Sequence, residues 1–335
     1  MFHSNIKMMR FVISSFVFFA CFTTVFAQED SLPVLPQNAI EAENDFKMIL
    51  LGMRNYDGSV QSGEGECLYI FNEVGITGNY TWKTRLTFDA WHTRMEFEDG
   101  VSNNKQTPNT TILSTPSGTL EIVSPKTGEP SYHFQTEAGL DTSKSWVDPR
   151  RWLRIADGQD LPTYLKERNF RILKSEFFNG FPCYVLEARQ PNQPEDSFER
   201  IWVSPELGLR YLQYEKRFLS EADSANGQIK KGTPTLRRVR LSYGLYGEDA
   251  WFVTNGIAET FRIDSDGAEH LISRAVIETQ NFIVNHEVPA EVFTVDIPDN
   301  VTIQVGAEGK KLSKKEFRQW YGGIHYKGVK LITDR

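Results

Sequence analysis

The 335-residue chain holds three cysteines and six histidines, and none of them stands at a spacing that a reaction or a metal would require. The histidines lie at positions 3, 92, 133, 270, 286 and 325, with no H-E-x-x-H interval and no Cys/His set of the zinc type. There is no G-x-S-x-G elbow, no phosphate-binding glycine loop and no dinucleotide fingerprint. Asp264-Ser265-Asp266-Gly267 opens like a calcium loop but lacks the later ligands and the terminal glutamate, so it reads as a hairpin turn. Glu96 and Glu98 would suit a glycosidase only with two carboxylates facing across a cleft. On one face of a strand they read as solvated charge. No metal, no cofactor and no catalytic residue is therefore expected, an unrecognised hydrolase being the remaining enzymatic alternative. A net charge of −7 argues against nucleic acid as the main partner.

Long apolar runs are equally scarce, and the exception is N-terminal. Lys7 and Arg10 precede the apolar run Phe11 to Phe19, and Val25-Phe26-Ala27 offers a cleavage junction. This pattern predicts a secretory signal peptide over 1–27, with lipid attachment at Cys21 as the alternative reading of the junction. Export to the periplasm or surface of a bacterium follows. No second run of about 18 apolar residues occurs, so the mature chain is expected to be soluble. Cys67 and Cys183 survive processing. Export permits a disulfide between them, and two buried thiols are the preferred alternative.

What the sequence does have is aromatic surface on strands: 23 Phe, 12 Tyr and 7 Trp. Residues 28–37 read as a flexible leader. A helix is predicted over about 38–55, where Ala42, Phe46, Ile49, Leu50 and Met53 form a stripe of helical period. Period 2 then dominates. Trp82, Leu86 and Phe88 alternate with polar residues, and the parity flips at Asp89-Ala90, which predicts a bulge or turn there. Further strands are read at 111–114, 119–124, 170–178, 181–189, 199–204, 209–219, 235–245, 258–264, 270–281 and 292–297. Asn179-Gly180 marks one hairpin by the two positive-φ residues a type I′ turn needs. Short helices are read near 148–155 and 162–168, and 220–234 as a long mobile loop.

Consecutive strands with few crossover helices predict a mainly β (α+β) fold built on an antiparallel sheet. Its aromatic face must be covered by helices, a second sheet or a ligand. Trp82, Leu86, Phe88, Leu120, Ile122, Tyr184 and Leu186 are assigned by parity to one interior, the candidate ligand surface. Phe46, Ile49, Leu50 and Met53 are assigned to a helical lid over it. Residues 306–335 carry eight basic against three acidic side chains, net +5, which leaves −14 on 28–305. Ser313 to Glu316 is a capping box, and Phe317, Trp320 and Tyr321 give the following helix an aromatic face. That tail either docks onto the acidic body, the preferred reading, or meets anionic lipid or a partner.

The stretch ILSTPSGTLEIVSP (112–125) resembles the paired short strands of the LolA-like and LolB-like outer-membrane lipoprotein carriers. NGFPCYVLEA, RIWVSPELGLRYLQYE and VFTVDIPDNVTI resemble later hairpins and the closing strand of lipoprotein-sorting-like envelope proteins. The resemblance spans about 38–303. It implies a curved, unclosed half-barrel with an N-terminal helix and one or two short helices as lid, holding acyl chains. In the carriers an arginine on an early strand helps to hold the lid. Arg85 occupies the corresponding strand, but Leu86 follows it where the family has proline, and a solvated strand arginine is the preferred reading. The function implied is non-enzymatic binding of lipid, lipoprotein or another apolar ligand. An envelope interaction or sensor module with a filled core and a protein partner is the alternative.

Overall fold

The computed structural model describes residues 32–35, 39–57, 59–74, 79–102, 105–116, 118–135, 146–153, 160–189, 194–221, 223, 229–247, 250–306 and 309–321. The signal-peptide reading, most of the leader, part of the 220–234 loop and residues 322–335 lie outside the described residues.

The helix α1 runs Ala39–Asp57. An i,i+4 pair, Lys47–Glu43 at 2.7 Å, laces its outer face, and Glu41 and Arg54 complement its ends. Its stripe turns inward: Ile49 and Met53 are buried, and Phe46 and Leu50 pack partly against the core. None of the described helices is long and apolar enough to cross a membrane.

Two antiparallel meanders make the sheet. The first comprises β1 (Gly63–Glu73), β2 (Asn79–Phe88), β3 (Thr93–Ser102), the short β4 (Lys105–Gln106), β5 (Asn109–Thr115), β6 (Gly118–Ser124) and β7 (Ser131–Gln135). A 3-10 turn, Pro149–Leu153, and the helix α2, Leu161–Glu167, then carry the chain across the sheet. The second meander returns through β8 (Arg171–Phe178), β9 (Phe181–Ala188), β10 (Phe198–Ser204), β11 (Arg210–Leu219), β12 (Pro234–Tyr246), β13 (Ala250–Ile263) and β14 (Glu269–Val284). The strand β14 pairs with β1 and joins the two halves. Two late strands, β15 (Thr302–Val305) and β16 (Lys310–Ser313), extend the first half beyond β7, with β15 parallel to β7. The edges are β8 and β16, which do not pair with each other. The result is one large, curved, unclosed antiparallel sheet with few helices.

Turn chemistry fixes several joints. Asn179 (φ 52°) and Gly180 (φ 85°) both take the left-handed region in the β8–β9 hairpin. The parity break at Asp89 is a tight turn between β2 and β3, in which Asp89 Oδ1 accepts from the backbone N–H of Trp91 (2.7 Å) and His92 (2.6 Å). The short helix after Ser313 is also present: α3 spans Lys314–Tyr321, and Glu316 Oε2 accepts from Ser313 N at 2.8 Å in the reciprocal cap. Because β15 and β16 form one hairpin, the sheet runs through the expected boundary between residues 305 and 306.

The register assigns faces. Leu86 lies opposite Met95, which lies opposite Ile112. Thr87, Arg94, Leu113 and Leu120 form the neighbouring row, which points to the other face. The face with Leu86 is concave and carries the main core under α1, Trp152 and α2. The opposite face behind β5–β7 carries a second core, made by Leu113, Leu120, Ile122 and Phe134 against Phe293, Ile303 and Phe317. Placing Leu120 and Ile122 in the same interior as Leu86 is therefore corrected. Adjacent apolar residues Ile112 and Leu113 show that this part of the sheet is covered on both sides.

One further expectation changes, and the preferred reading of Arg85 holds. Residues 292–297 are not a closing strand. Ala290–Phe293 is a 3-10 turn, and Arg94 Nη1 donates to the carbonyls of Val292 (2.8 Å) and Thr294 (3.2 Å) in place of a ladder. Arg85 alternates with Leu86 and so projects from the face opposite α1, where it is exposed and cannot hold a lid.

Candidate ligand cavity

Closure of the concave face depends on the segment read as a short helix near 148–155, which forms a 3-10 turn over Pro149–Leu153. Trp152, 1% exposed, drops from the 3-10 turn onto β13 and β14, where a Cβ at Gly256 would lie 2.6 Å from its ring. Its Nε1 donates to the Trp146 carbonyl at 2.7 Å, and the Tyr211 hydroxyl donates to the Trp152 carbonyl. Beside it, Asp148 is 3% exposed and binds Arg150 through both carboxylate oxygens, from Nε at 2.9 and 3.1 Å and from Nη2 at 2.6 Å. Arg150 Nη2 also donates to Thr93 Oγ1 at 2.8 Å, and its guanidinium carbon lies 4.0 Å over the Phe88 ring. This buried ion pair is fully engaged on the Asp148 side, which offsets its desolvation.

The helix α2 is tied down by its own cap and by the sheet. Asp160 Oδ1 accepts from Thr163 N at 3.0 Å. Tyr164 donates to Glu199 Oε2, and Lys216 Nζ lies 3.1 Å from Glu199 Oε1.

Between these supports a cavity of about 480 Å³ remains at one end of the concave face. This falls within the roughly 300–1,000 Å³ of small-molecule sites. Phe88, Phe252, Trp251, Leu153, Leu161 and Val60 supply its apolar wall, and Arg150, Arg210, Asp89, Asp160 and Gln61 its polar rim. A smaller void of about 20 Å³ beneath Met53 shares Leu153, Leu161 and Arg210 with it. Phe88 and Phe252 stack at 6.2 Å, and Phe282 meets Phe252 at 4.8 Å. Arg210 Nη2 donates to Ser59 Oγ at 2.8 Å, fixing the chain just after α1. The Asp89 carboxyl lies below its usual range. Burial opposes this, but bonds from the His92 ring and from the Trp91 and His92 N–H groups outweigh it.

Of the seven residues assigned to the ligand surface, Phe88 alone lines this cavity. Leu86 and Leu186 lie in the same buried cluster, with Trp82 and Tyr184 at its margin. Leu120 and Ile122 lie across the sheet. Among the lid residues, Met53 borders the small void, while Phe46, Ile49 and Leu50 pack into the core. Arg150, Trp152, Arg210 and Phe252 were not singled out in the sequence. Phe252 lies on the part of β13 that precedes the strand read at 258–264. Among the described residues no group of His, Cys, Asp and Glu could hold a metal.

Cys67 and Cys183 are both free and buried. They lie on β1 and β9, six strand steps apart, which is roughly 29 Å across a sheet. A disulfide is excluded by that distance.

No family model matches the sequence, and no curated protein is similar to it. Solved structures with a similar fold include a DUF1329 family protein from Desulfovibrio piger, at 15% identity, TM-score 0.42, over 75% of this chain and 96% of that one. A LolA superfamily protein from Nitrosomonas europaea matches at 12% identity, TM-score 0.39, over 74% and 96%. An outer membrane lipoprotein-sorting protein domain from Vibrio parahaemolyticus matches at 12% identity, TM-score 0.36, over 74% and 95%. The mainly β, unclosed antiparallel sheet with few helices agrees with the half-barrel fold expected from the sequence.

Proposed function

We propose that the protein is a non-enzymatic, exported envelope protein that binds lipid, a lipoprotein acyl chain or another apolar ligand in its concave sheet. The observation that carries this reading is the cavity of about 480 Å³ floored by Phe88 and Phe252. Stacked aromatics beside an unfilled, partly polar mouth suit an amphiphile better than they suit a packed core.

A second reading, an interaction module with a filled interior, has its own support. Trp152 and residues of α1 and α2 pack into the buried cluster of the concave face with strand residues such as Leu86, Leu186 and Ile277. Native mass spectrometry of protein purified from the envelope, before and after lipid extraction, separates the two. An adduct that extraction removes is the expected result. A bare mass both times, with no uptake of added lipid, would establish the filled module.

A further inference from the structure

We infer that the void of about 20 Å³ beneath Met53 is the blind end of the ligand site, and that Leu209, seated against Gly52 of α1, sets the longest apolar chain the site accepts. This rests on the proposed binding function and assigns its specificity. Leu153, Leu161 and Arg210 line both the cavity and the void, so the two spaces adjoin. A chain lying over Phe88 and Phe252 can therefore continue past the two leucines toward Met53.

The far wall holds two residues that local preference would exchange. Leu209, which lines the void, stands at φ 61°, in the left-handed region that a branched side chain rarely adopts and glycine adopts freely. Gly52 stands inside α1, where alanine is the better helix former. The two meet, since a Cβ at Gly52 would lie 2.1 Å from Leu209 Cδ1. The turn that carries Leu209 is pinned: its N–H donates to the Ser204 carbonyl at 2.9 Å, and that of Gly208 to the Pro205 carbonyl at 3.1 Å. Arg210 ties this turn to the chain just after α1, its Nη2 donating to Ser59 Oγ at 2.8 Å and its Nη1 to the Leu207 carbonyl at 3.3 Å. Backbone strain persists only where the surroundings over-determine it, and it gathers at ligand clamps. Glycine at 209 and alanine at 52 would suit the turn and the helix better. The residues present instead put a branched side chain at the end of the void, against bare helix backbone.

The test incubates the protein with a mixture of saturated 1-monoacylglycerols, graded from octanoyl to octadecanoyl, and reads by native mass spectrometry which chains are retained. The wild-type chain is expected to show a sharp upper limit. Leu209→Gly, which relaxes the turn and empties the far wall, should raise that limit by about two to four carbons through the cavity it leaves. Met53→Ala, which opens the void from the helix side, should raise it in the same direction and carries the test if Leu209→Gly does not fold. Ile49→Ala, one helical turn earlier in the buried stripe and not on the void, should keep the wild-type limit. Melting temperatures confirm that each variant is folded. An unchanged limit in the folded void variants, or uptake of every chain by the wild type, overturns the inference but leaves apolar binding standing. A limit raised equally by Ile49→Ala also overturns it, by tracing the effect to a loosened helix. Retention of no chain by any form overturns the inference together with the function on which it rests.

Discussion

The hydroxyl of Tyr164 on α2 donates to the carboxylate of Glu199 on β10, inside the concave core. Glu199 is 2% exposed, and its other oxygen faces Lys216 at 3.1 Å. One helix of the cover is thus fastened to the sheet by a hydrogen bond to a buried charge. Tyr164→Phe keeps the ring and removes that bond. The expected loss is about 1.5–3 kcal/mol, the range for hydrogen bonds to charged groups. Urea unfolding should show a lower midpoint at unchanged m value, and an unchanged midpoint would show that the bond adds no stability.

Alkaline pH should unfold the protein from the side of its neutral acids. Burial pushes the Tyr69 hydroxyl up to about 12, raises Tyr211, and raises Tyr214 by burial and then by Glu199; the Cys67 thiol is raised by burial too. In each case the unfolded chain releases its proton first. Stability is therefore fully present below the unfolded values, near 8.5 for thiols and 10 for tyrosines, and falls as pH rises above them. Each group adds about 1.4 kcal/mol of loss per pH unit while only its unfolded form ionises. Denaturation midpoints at pH 8, 9.5 and 10.5 should fall with increasing steepness. A flat profile would mean that these groups are solvated in the native state.

The thiols make a separate prediction. Both are 0% exposed and lie on opposite faces of the sheet, Cys67 in the concave core and Cys183 behind it with Trp202. Neither should react with a thiol reagent in native buffer, and both should react at once in guanidinium without reductant. A chain that yields two thiols only after reduction would contradict this strand order.

The inward stripe of α1 was readable from the sequence because its period matches the helix, and Ile49, 3% exposed, lies at its centre. Ile49→Asp places an unpaired charge among Met53, Leu165 and the other buried residues of the concave core, with an expected cost of several kcal/mol. A melting temperature equal to wild type would remove α1 from the core. Met48 and Leu51, both exposed, are the matched controls on the outer face.

The strands and tight turns were legible for similar reasons. Asn179-Gly180 and the flip at Asp89 are local signals that no distant contact overrides. Choosing faces failed at Leu120 and Ile122, since parity within a strand says which residues lie together but not which side they join. The side is set by register across β3, β5 and β6, and by a C-terminal segment that covers the back of the sheet. The cavity was hidden for a different reason. Arg150 and Trp152 come from the 3-10 turn that stands where a short helix is read near 148–155, and Arg210 from the first residue of a strand; elements this short do not say which way a side chain faces. They meet Phe88 and Phe252 only through long-range folding.

That back cover gives the last prediction. Phe317, 0% exposed, is the first aromatic of α3, and it meets Phe134 edge to face with ring centres 4.9 Å apart. Its helix is positioned by the Ser313–Glu316 cap and by Lys314, whose Nζ lies 2.8 Å from Asp299. This basic segment therefore reaches the acidic body through one buried ring more than through its charges, since exposed ion pairs contribute little. Phe317→Ala should cost about 3–5 kcal/mol, as aromatic truncations in a packed core do. Lys314→Ala should cost under about 1 kcal/mol and lose even that in moderate salt. Deleting 306–335 removes β16 as well, leaving β15 as the new edge and Leu113, Leu120 and Phe134 partly uncovered. The truncated chain should melt well below wild type and bind hydrophobic dyes. Wild-type stability in the deletion, with loss of salt-sensitive binding to anionic vesicles, would instead assign the basic tail to a membrane surface and refute its structural role.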